Sequence, residues 1–368
     1  MSIRVLYVIT DLETGGVPLH LARAATFARR RGLQVSVCCL APPGPVSIRL
    51  RDAGVATTAL GARGSWDWRV FGRLAKRIRE VRPDVVHSLL FHANIAARLA
   101  CVLCRFPTRR LIGEIQTAEI ERPWHLWIER VTQRWCRTIV GNSPSVIEHL
   151  RTAGRIRASR LHLIRGGIDP ETIEKAAPLD RRGLGITNDD PILLWVGRLD
   201  PVKGLDELIE AFARVYRVRP CNLVLAGEGA YRPRVENRIN RAGLTDRVVM
   251  LGARSDVPSL LNSAEVFVFP SRTEGMPNAL LEAMAAGLPC VATAVAGCRD
   301  VIDDGADGLL AAPGDTAGLA DALVRVLSDD RLAQRLGAAA SAKVRREYRQ
   351  DHCLLAYLDL YARVVAGT

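Results

Sequence analysis

Two glutamates, Glu274 and Glu282, stand eight positions apart in SRTEGMPNALLEAMAAG, with Gly275, Met276, Pro277 and Asn278 between them. Upstream, VGRLDPVKGLDEL sets Arg198 and Lys203 five residues apart, at the end of a strand-like run and just before a helical one. Two cations so placed suit a diphosphate, because arginine offers a planar fork and lysine a mobile point charge. Each supplies on the order of 4 kcal/mol of attraction at 4 Å and an effective dielectric of about 20, before desolvation is subtracted. Phosphates repel a carboxylate, so glutamates at such a site read as acceptors for hydroxyls; one carboxylate accepts from both members of a vicinal diol. A sugar and a ribose carry such diols. Plainer alternatives stay open: an Arg198–Asp200 contact in a solvated loop, Glu274 as a turn residue and Glu282 as an exposed helix residue.

A helix predicted to start near Pro277 or Asn278 would place free backbone N–H groups next to Glu274, a setting that attracts anionic or hydroxyl-rich ligands. Near the N-terminus, Gly15 and Gly16 in TGG follow a strand and precede a helix, so the backbone there can approach a ligand, although a tight turn explains them equally. Neither TGG nor AGEGAYR completes G-x-G-x-x-G, which argues against a dinucleotide site. No D-x-D occurs, and the single C-x-x-C, Cys101 and Cys104, has no second pair to finish a zinc site; we read it as packing. No metal site and no cofactor are expected.

These residues need a scaffold that gathers strand ends. Short β-branched runs alternate with helical stretches along the chain, the pattern of doubly wound parallel sheets. Six runs, from Ile3–Ile9 to Thr138–Asn142, precede a Gly/Pro/Asp-rich stretch at Arg165–Pro191 that reads as a linker, and five more begin at Ile192. Two Rossmann-like domains are therefore expected, residues 1–178 and 179–350, with ligands at the carboxyl ends of the strands.

The 368 residues, 48% hydrophobic and 24% charged, are enough for two cores, and no apolar stretch is long enough to span a membrane. The N-terminus runs directly into a strand, and a cytoplasmic protein is expected. Residues 1–178 carry 28 basic against 14 acidic side chains, residues 179–368 only 23 against 25, so the net +12 belongs to the first half. A basic half suits nucleic acid, anionic lipid or a phosphorylated acceptor. Nucleic acid is the weakest of these, because the charges spread over many helices without a recognition motif. Arg69, Arg73, Lys76 and Arg77 line one predicted helix, and Trp124 and Trp127 sit beside basic residues in ERPWHLWIERVTQRWCR, a composition suited to a bilayer interface.

In order, GRLDPVKG, LAGEG, EGMPNALLEAMAAGLPCVAT and DGLLAAPGD, with VITDLETGG, DVVH and LIRGGID earlier, resemble the retaining glycosyltransferases of family 4 over nearly the whole chain. The resemblance implies a GT-B fold, two Rossmann-like domains facing each other across a deep interdomain cleft, with a final helix at 351–368 packing back onto the first. It implies an acceptor-binding first domain and a donor-binding second. Arg198 and Lys203 would bind the donor diphosphate; Glu274, with the backbone of Gly275, Met276, Pro277 and Asn278, would hold the sugar hydroxyls; Glu282 would take the ribose diol. Gly15 and Gly16 would meet donor and acceptor, and Arg254 would line the base pocket.

Many relatives carry a second histidine two positions after the one at His87, where this chain has Leu89; His92 is the nearest substitute, so both histidines are possible acceptor-side residues. The implied reaction is metal-independent, retaining transfer of a hexose-type sugar from a UDP-sugar, or second a GDP-sugar, to a saccharide or lipid-linked acceptor. Bacterial surface polysaccharide assembly, with peripheral binding to the cytoplasmic membrane, is the implied setting. A sugar-nucleotide epimerase on the same fold and a non-catalytic nucleotide-sugar binding protein are the alternatives.

Overall fold

The structure is a computed structural model, and it describes residues 2–62, 64, 67–116 and 123–367. Glu121 and Arg122 of the tryptophan-bearing cluster lie outside these residues. The chain forms two units, Met1–Arg165 with Asp351–Thr368, and Gly166–Gln350.

The first unit holds seven parallel strands: β1 (Arg4–Ile9), β2 (Gln34–Cys39), β3 (Ala56–Ala59), β4 (Val85–Leu89), β5 (Leu111–Ile115), β6 (Thr138–Gly141) and β7 (Leu161–Leu163), in the spatial order β3-β2-β1-β4-β5-β6-β7. Strand periodicity assigns its two faces. Val5, Tyr7 and Ile9 pack with Leu21 and Ala25 of the Gly16–Arg30 helix and with Leu354, Tyr357 and Tyr361 of the Gln350–Ala366 helix. Leu6 and Val8 turn to the other face, against Leu74 and Ile78 of the Arg69–Val81 helix and Ala97 of the Phe91–Leu103 helix. Burying such side chains contributes about 1.5–3 kcal/mol each.

The second unit holds six parallel strands: β8 (Ile192–Val196), β9 (Asn222–Ala226), β10 (Val248–Gly252), β11 (Val266–Phe269), β12 (Cys290–Thr293) and β13 (Leu309–Ala311), in the order β10-β9-β8-β11-β12-β13. Here too alternate residues divide: Leu193 and Trp195 join one core, Ile192 and Leu194 the other. The two sheets thus share one topology.

The division falls at Arg165/Gly166 rather than after residue 178. Gly/Pro/Asp content made 165–191 look like a linker, but Ile168, Ile173, Leu184 and Ile186 are buried in the core of the second unit, and Asp169 caps the short Pro170–Glu174 helix. Sparse, irregularly spaced apolar anchors leave no period to read. The short strands β7 and β13 also escaped the pattern, each being three residues long. All nine cysteines are free thiols, Cys101 among the buried ones.

Candidate active site

In each sheet the chain reverses direction of travel beside its first strand, between β1 and β4 in one unit and between β8 and β11 in the other. Open parallel sheets bind ligands in the crevice outside the strand carboxyl ends at such a point. The loops leaving β8 and β11 carry Lys203 and Glu274. Lys203 Nζ donates to Glu274 Oε1 at 2.5 Å, with 20% and 10% of the two side chains exposed. The ammonium also stands 5.7 Å from the ring centroid of Phe269, at the end of β11.

Backbone contacts fix this pair. Arg272 N–H donates to the Val202 carbonyl at 2.8 Å, tying the two loops together. Gly204 lies at φ +66°, and a Cβ there would run into the Pro270 carbonyl. From the end of β12, Gly297 N–H donates to the Glu274 carbonyl at 3.2 Å, and a Cβ on Gly297 would sit 2.7 Å from that oxygen and 2.8 Å from the Gly275 oxygen. Three strand ends therefore set the position of Glu274. Behind it, burial, followed by the charge of Glu274, raises the pKa of the Cys298 thiol and keeps it protonated.

The remaining second-unit residues are placed less tightly. Arg198 is 71% exposed and lies 3.1 Å from Asp200, so the solvated-loop alternative describes its position here. Asp200 also accepts from Val202 N–H at 3.1 Å, capping the turn that delivers Lys203. Gly275, Met276 and Pro277 form the approach to the Asn278–Ala285 helix, with Pro277 at its N-cap. Glu282, half-buried, sits one turn further along, four residues after Asn278. Arg254 follows the edge strand β10 and is held by Asp256 through Nε at 2.8 Å and Nη2 at 2.5 Å; β9 separates its strand from β8.

The first-unit residues divide sharply. Gly15, extended at φ −173°, is the N-cap of the Gly16–Arg30 helix, so both glycines are at a helix start beyond β1. His87 lies within β4 and is 1% exposed. Its Nδ1 is 2.8 Å from the Tyr361 hydroxyl, which pairs with the Tyr7 hydroxyl at 2.8 Å, and its Nε2 is 3.0 Å from Glu114 Oε2. Glu114 is fully buried, with His20 Nε2 4.0 Å from its other oxygen and Gln116 donating to it. Burial pushes the Glu114 carboxyl up, but hydrogen bonding and attraction from His87, with help from His20 and Gln116, more than offset it and leave the group below the usual carboxylate range. Burial likewise depresses His20 despite Glu114. His92 faces elsewhere, exposed in the first turn of the Phe91–Leu103 helix with Phe91 and His125 as ring neighbours at 5.3 and 6.1 Å. The structure does not bring His87 and His92 together, and Leu89 is a core residue. Leu90, at φ +76°, turns the chain from β4 into that helix, a backbone a leucine adopts only at a cost.

Two family descriptions account for most of the chain: Glycosyltransferase Family 4 matches residues 14–172 and Glycosyl transferases group 1 matches residues 177–343. Alpha-D-kanosaminyltransferase of Streptomyces kanamyceticus is 32% identical over 76% of this chain and 77% of its own length. The chain belongs to glycosyltransferase family 4. Another relative of this transferase, alpha-maltose-1-phosphate synthase of Mycobacterium tuberculosis, is 28% identical over 96% of both chains. HepE of Anabaena, crystallised with UDP, superimposes with a TM-score of 0.87 at 20% identity, covering 98% of this chain and 100% of that one. Sucrose-phosphate synthase of Thermosynechococcus elongatus gives a TM-score of 0.83 at 21% identity, covering 99% of this chain and 100% of that one. The fold of the transferase is GT-B.

Sequence reasoning missed three parts of this transferase. It did not foresee that Lys203 and Glu274 meet in one ion pair; 71 residues separate them, and the adjacency of β8 and β11 brings them together. It did not single out Gly297, although AVAG directly after a strand run marks a close backbone approach. It also left Glu114 and His20 unmentioned, because a glutamate inside a five-residue apolar strand declares itself only once its partners are known.

Proposed function

We propose that the chain is a retaining, metal-independent hexosyltransferase that takes its sugar from a nucleotide diphosphate sugar. The Lys203–Glu274 pair at the β8/β11 reversal carries this reading. A diphosphate entering that crevice draws Lys203 away from Glu274, so one event supplies a cation to the phosphates and frees a carboxylate for the sugar hydroxyls. Arg198 leaves its exposed contact with Asp200 to share the diphosphate, and Glu282 accepts from the ribose diol. Arg254 flanks the base, and the first unit takes the acceptor.

The acceptor hydroxyl forms its bond to the anomeric carbon on the face from which the diphosphate departs. The carbon–oxygen bond to phosphate breaks, and the hydroxyl proton passes to the departing phosphate oxygen. Lys203, Arg198 and backbone N–H groups stabilise the charge that develops there, an effect of about 10²–10³ in rate for one well-placed donor group. UDP is the proposed carrier, supported by HepE structures containing UDP and UDP-glucose.

Thermal unfolding with UDP, GDP or ADP, each with and without EDTA, tests this reading, with Lys203→Ala as control. A ligand at about 100 times its Kd adds about 2.7 kcal/mol of stability. An EDTA-resistant shift with one nucleotide, lost in the variant, is expected; flat curves for UDP and GDP at saturation would remove the proposal. The anomeric configuration of the product, read by NMR, tests retention.

For the acceptor we propose a saccharide or lipid-linked hydroxyl in bacterial surface polysaccharide synthesis. Among the described residues no helix is long and apolar enough to cross a membrane. On the Pro123–Thr132 helix, Trp124, Trp127 and Val131 are 44%, 64% and 39% exposed, a stripe on one face next to Arg130 and Arg134, which supports peripheral binding to an anionic surface. Co-sedimentation with anionic vesicles at low salt is the expected outcome, weakened in Trp127→Ala; wild-type protein left in the supernatant would end the membrane proposal and leave the transferase assignment standing.

A further inference from the structure

At the amino ends of β1, β4 and β5, away from the strand carboxyl ends discussed so far, the first unit has a cavity of about 280 Å³. Arg4, Arg79, Arg82, Asp84, Arg105 and Arg110 line it. Its single acid is already engaged. Asp84 accepts from Arg4 through the backbone N–H at 2.9 Å, Nε at 3.2 Å and Nη2 at 3.2 Å. Glu80, next to Arg79 in sequence, pairs with Arg77 at 3.3 Å. Among the described residues the guanidiniums of Arg79, Arg82, Arg105 and Arg110 have no hydrogen bond or salt bridge, and Arg110 Nε is buried without a partner.

Two of these arginines sit where the backbone disfavours them. Arg82 ends the Arg69–Val81 helix at φ +48°, and Arg105 follows the Phe91–Leu103 helix at φ +55°. Glycine is the usual residue at left-handed helix ends, so arginine is the costlier choice. Answering the helix dipoles does not account for all of this charge. Two helix carboxyl ends amount to about one negative charge together, which leaves an excess of roughly three positive charges around the cavity.

We propose that this cavity is a second ligand site, separate from the sugar-transfer site, that binds a phosphate or diphosphate group. Planar guanidinium forks on several sides suit tetrahedral phosphate oxygens, and the excess charge matches a diphosphate. The group belongs either to a small soluble phosphate or to a lipid headgroup.

Isothermal titration of the full chain with inorganic pyrophosphate, at ionic strength held constant with chloride, tests the site. Lys203→Ala with Trp127→Ala serves as background, which removes the crevice lysine and the exposed tryptophan from both proteins compared. Parallel flotation uses phosphatidylcholine vesicles with and without phosphatidate. In the second protein Arg82→Gly and Arg105→Gly are added, which removes two charges and relieves both left-handed positions; its melting temperature should equal or exceed that of the background. Pyrophosphate binding weakened at least about tenfold by the two glycines supports a soluble phosphate. Binding seen only with phosphatidate vesicles, and lost with the glycines, supports a lipid headgroup. No binding to either probe, or equal binding by both proteins, overturns the site. Because Lys203 is absent throughout, the result is independent of the donor-site reading.

Discussion

The same strand order builds two polar clusters beside the same reversal point, and what covers each decides its character. In the second unit, Lys203 and Glu274 stand at the ends of β8 and β11, one ion pair between loops with part of each side chain open. In the first, His87 and Glu114 lie on β4 and β5, and the Gln350–Ala366 helix lays Tyr357 and Tyr361 over them, leaving Glu114 fully buried. A ligand can compete for the open pair. The covered group has its partners inside the protein, so its interactions are spent on stability. Charged residues at a sheet's functional end are therefore not enough to mark a site; access is the second condition.

The largest effect expected from breaking this contrast is in the covered cluster. Glu114→Ala should cost about 3–5 kcal/mol in chemical unfolding, because it strips a buried histidine of its charged partner. Acid should do part of the same. His20 and Glu114 both hold protons less tightly in the folded chain than in the unfolded one. Stability from His20 is complete above its ordinary pKa of 6.5 and falls as pH drops below it; that from Glu114 falls further down, through the carboxylate range. Glu114→Gln should flatten that lower limb of a stability–pH curve, and an unchanged limb would place the acid sensitivity elsewhere.

In the open pair the expected effect is on rate. Lys203→Ala should lower kcat by about 10²–10³ if the proposed chemistry holds. Gly297→Ala comes next: its methyl presses on the Glu274 and Gly275 carbonyls, which should cost about 1–3 kcal/mol and misplace the glutamate. A variant with wild-type melting temperature and activity would show that the β12 end does not set Glu274. Tyr361→Phe, deleting a hydroxyl between His87 and Tyr7, should cost about 1 kcal/mol and leave transfer unaffected, which a melting curve and an activity assay resolve together.

The sequence made the strands and the helix start at Asn278 readable because both are local: β-branched runs for the former, a proline and small residues for the latter. Arg198, Lys203, Glu274 and Glu282 were readable as residue types at fixed spacing. What stayed hidden depends on distant parts of the chain. Nothing near His87 announces Tyr361, 274 residues later, and nothing near Arg165–Pro191 tells its isolated isoleucines and leucines that a core awaits them. Arg82 and Arg105 were hidden for another reason, since an arginine gives no sign in sequence of the left-handed backbone it adopts.

The return of Asp351–Thr368 to the first unit also orders events during synthesis. Residues 166–350 are an insertion within the first unit, and they are synthesised before the tyrosines that cover Glu114. Until then β4 and β5 hold an uncovered histidine and carboxylate on a sheet that lacks one of its layers. Closing that layer through a long unstructured loop carries an entropic cost that grows with loop length, whereas a second unit already folded brings the two chain segments nearer. A chain truncated before Asp351 should therefore show native protease resistance in the second unit and not in the first, whose sheet then lacks the helix that covers Glu114.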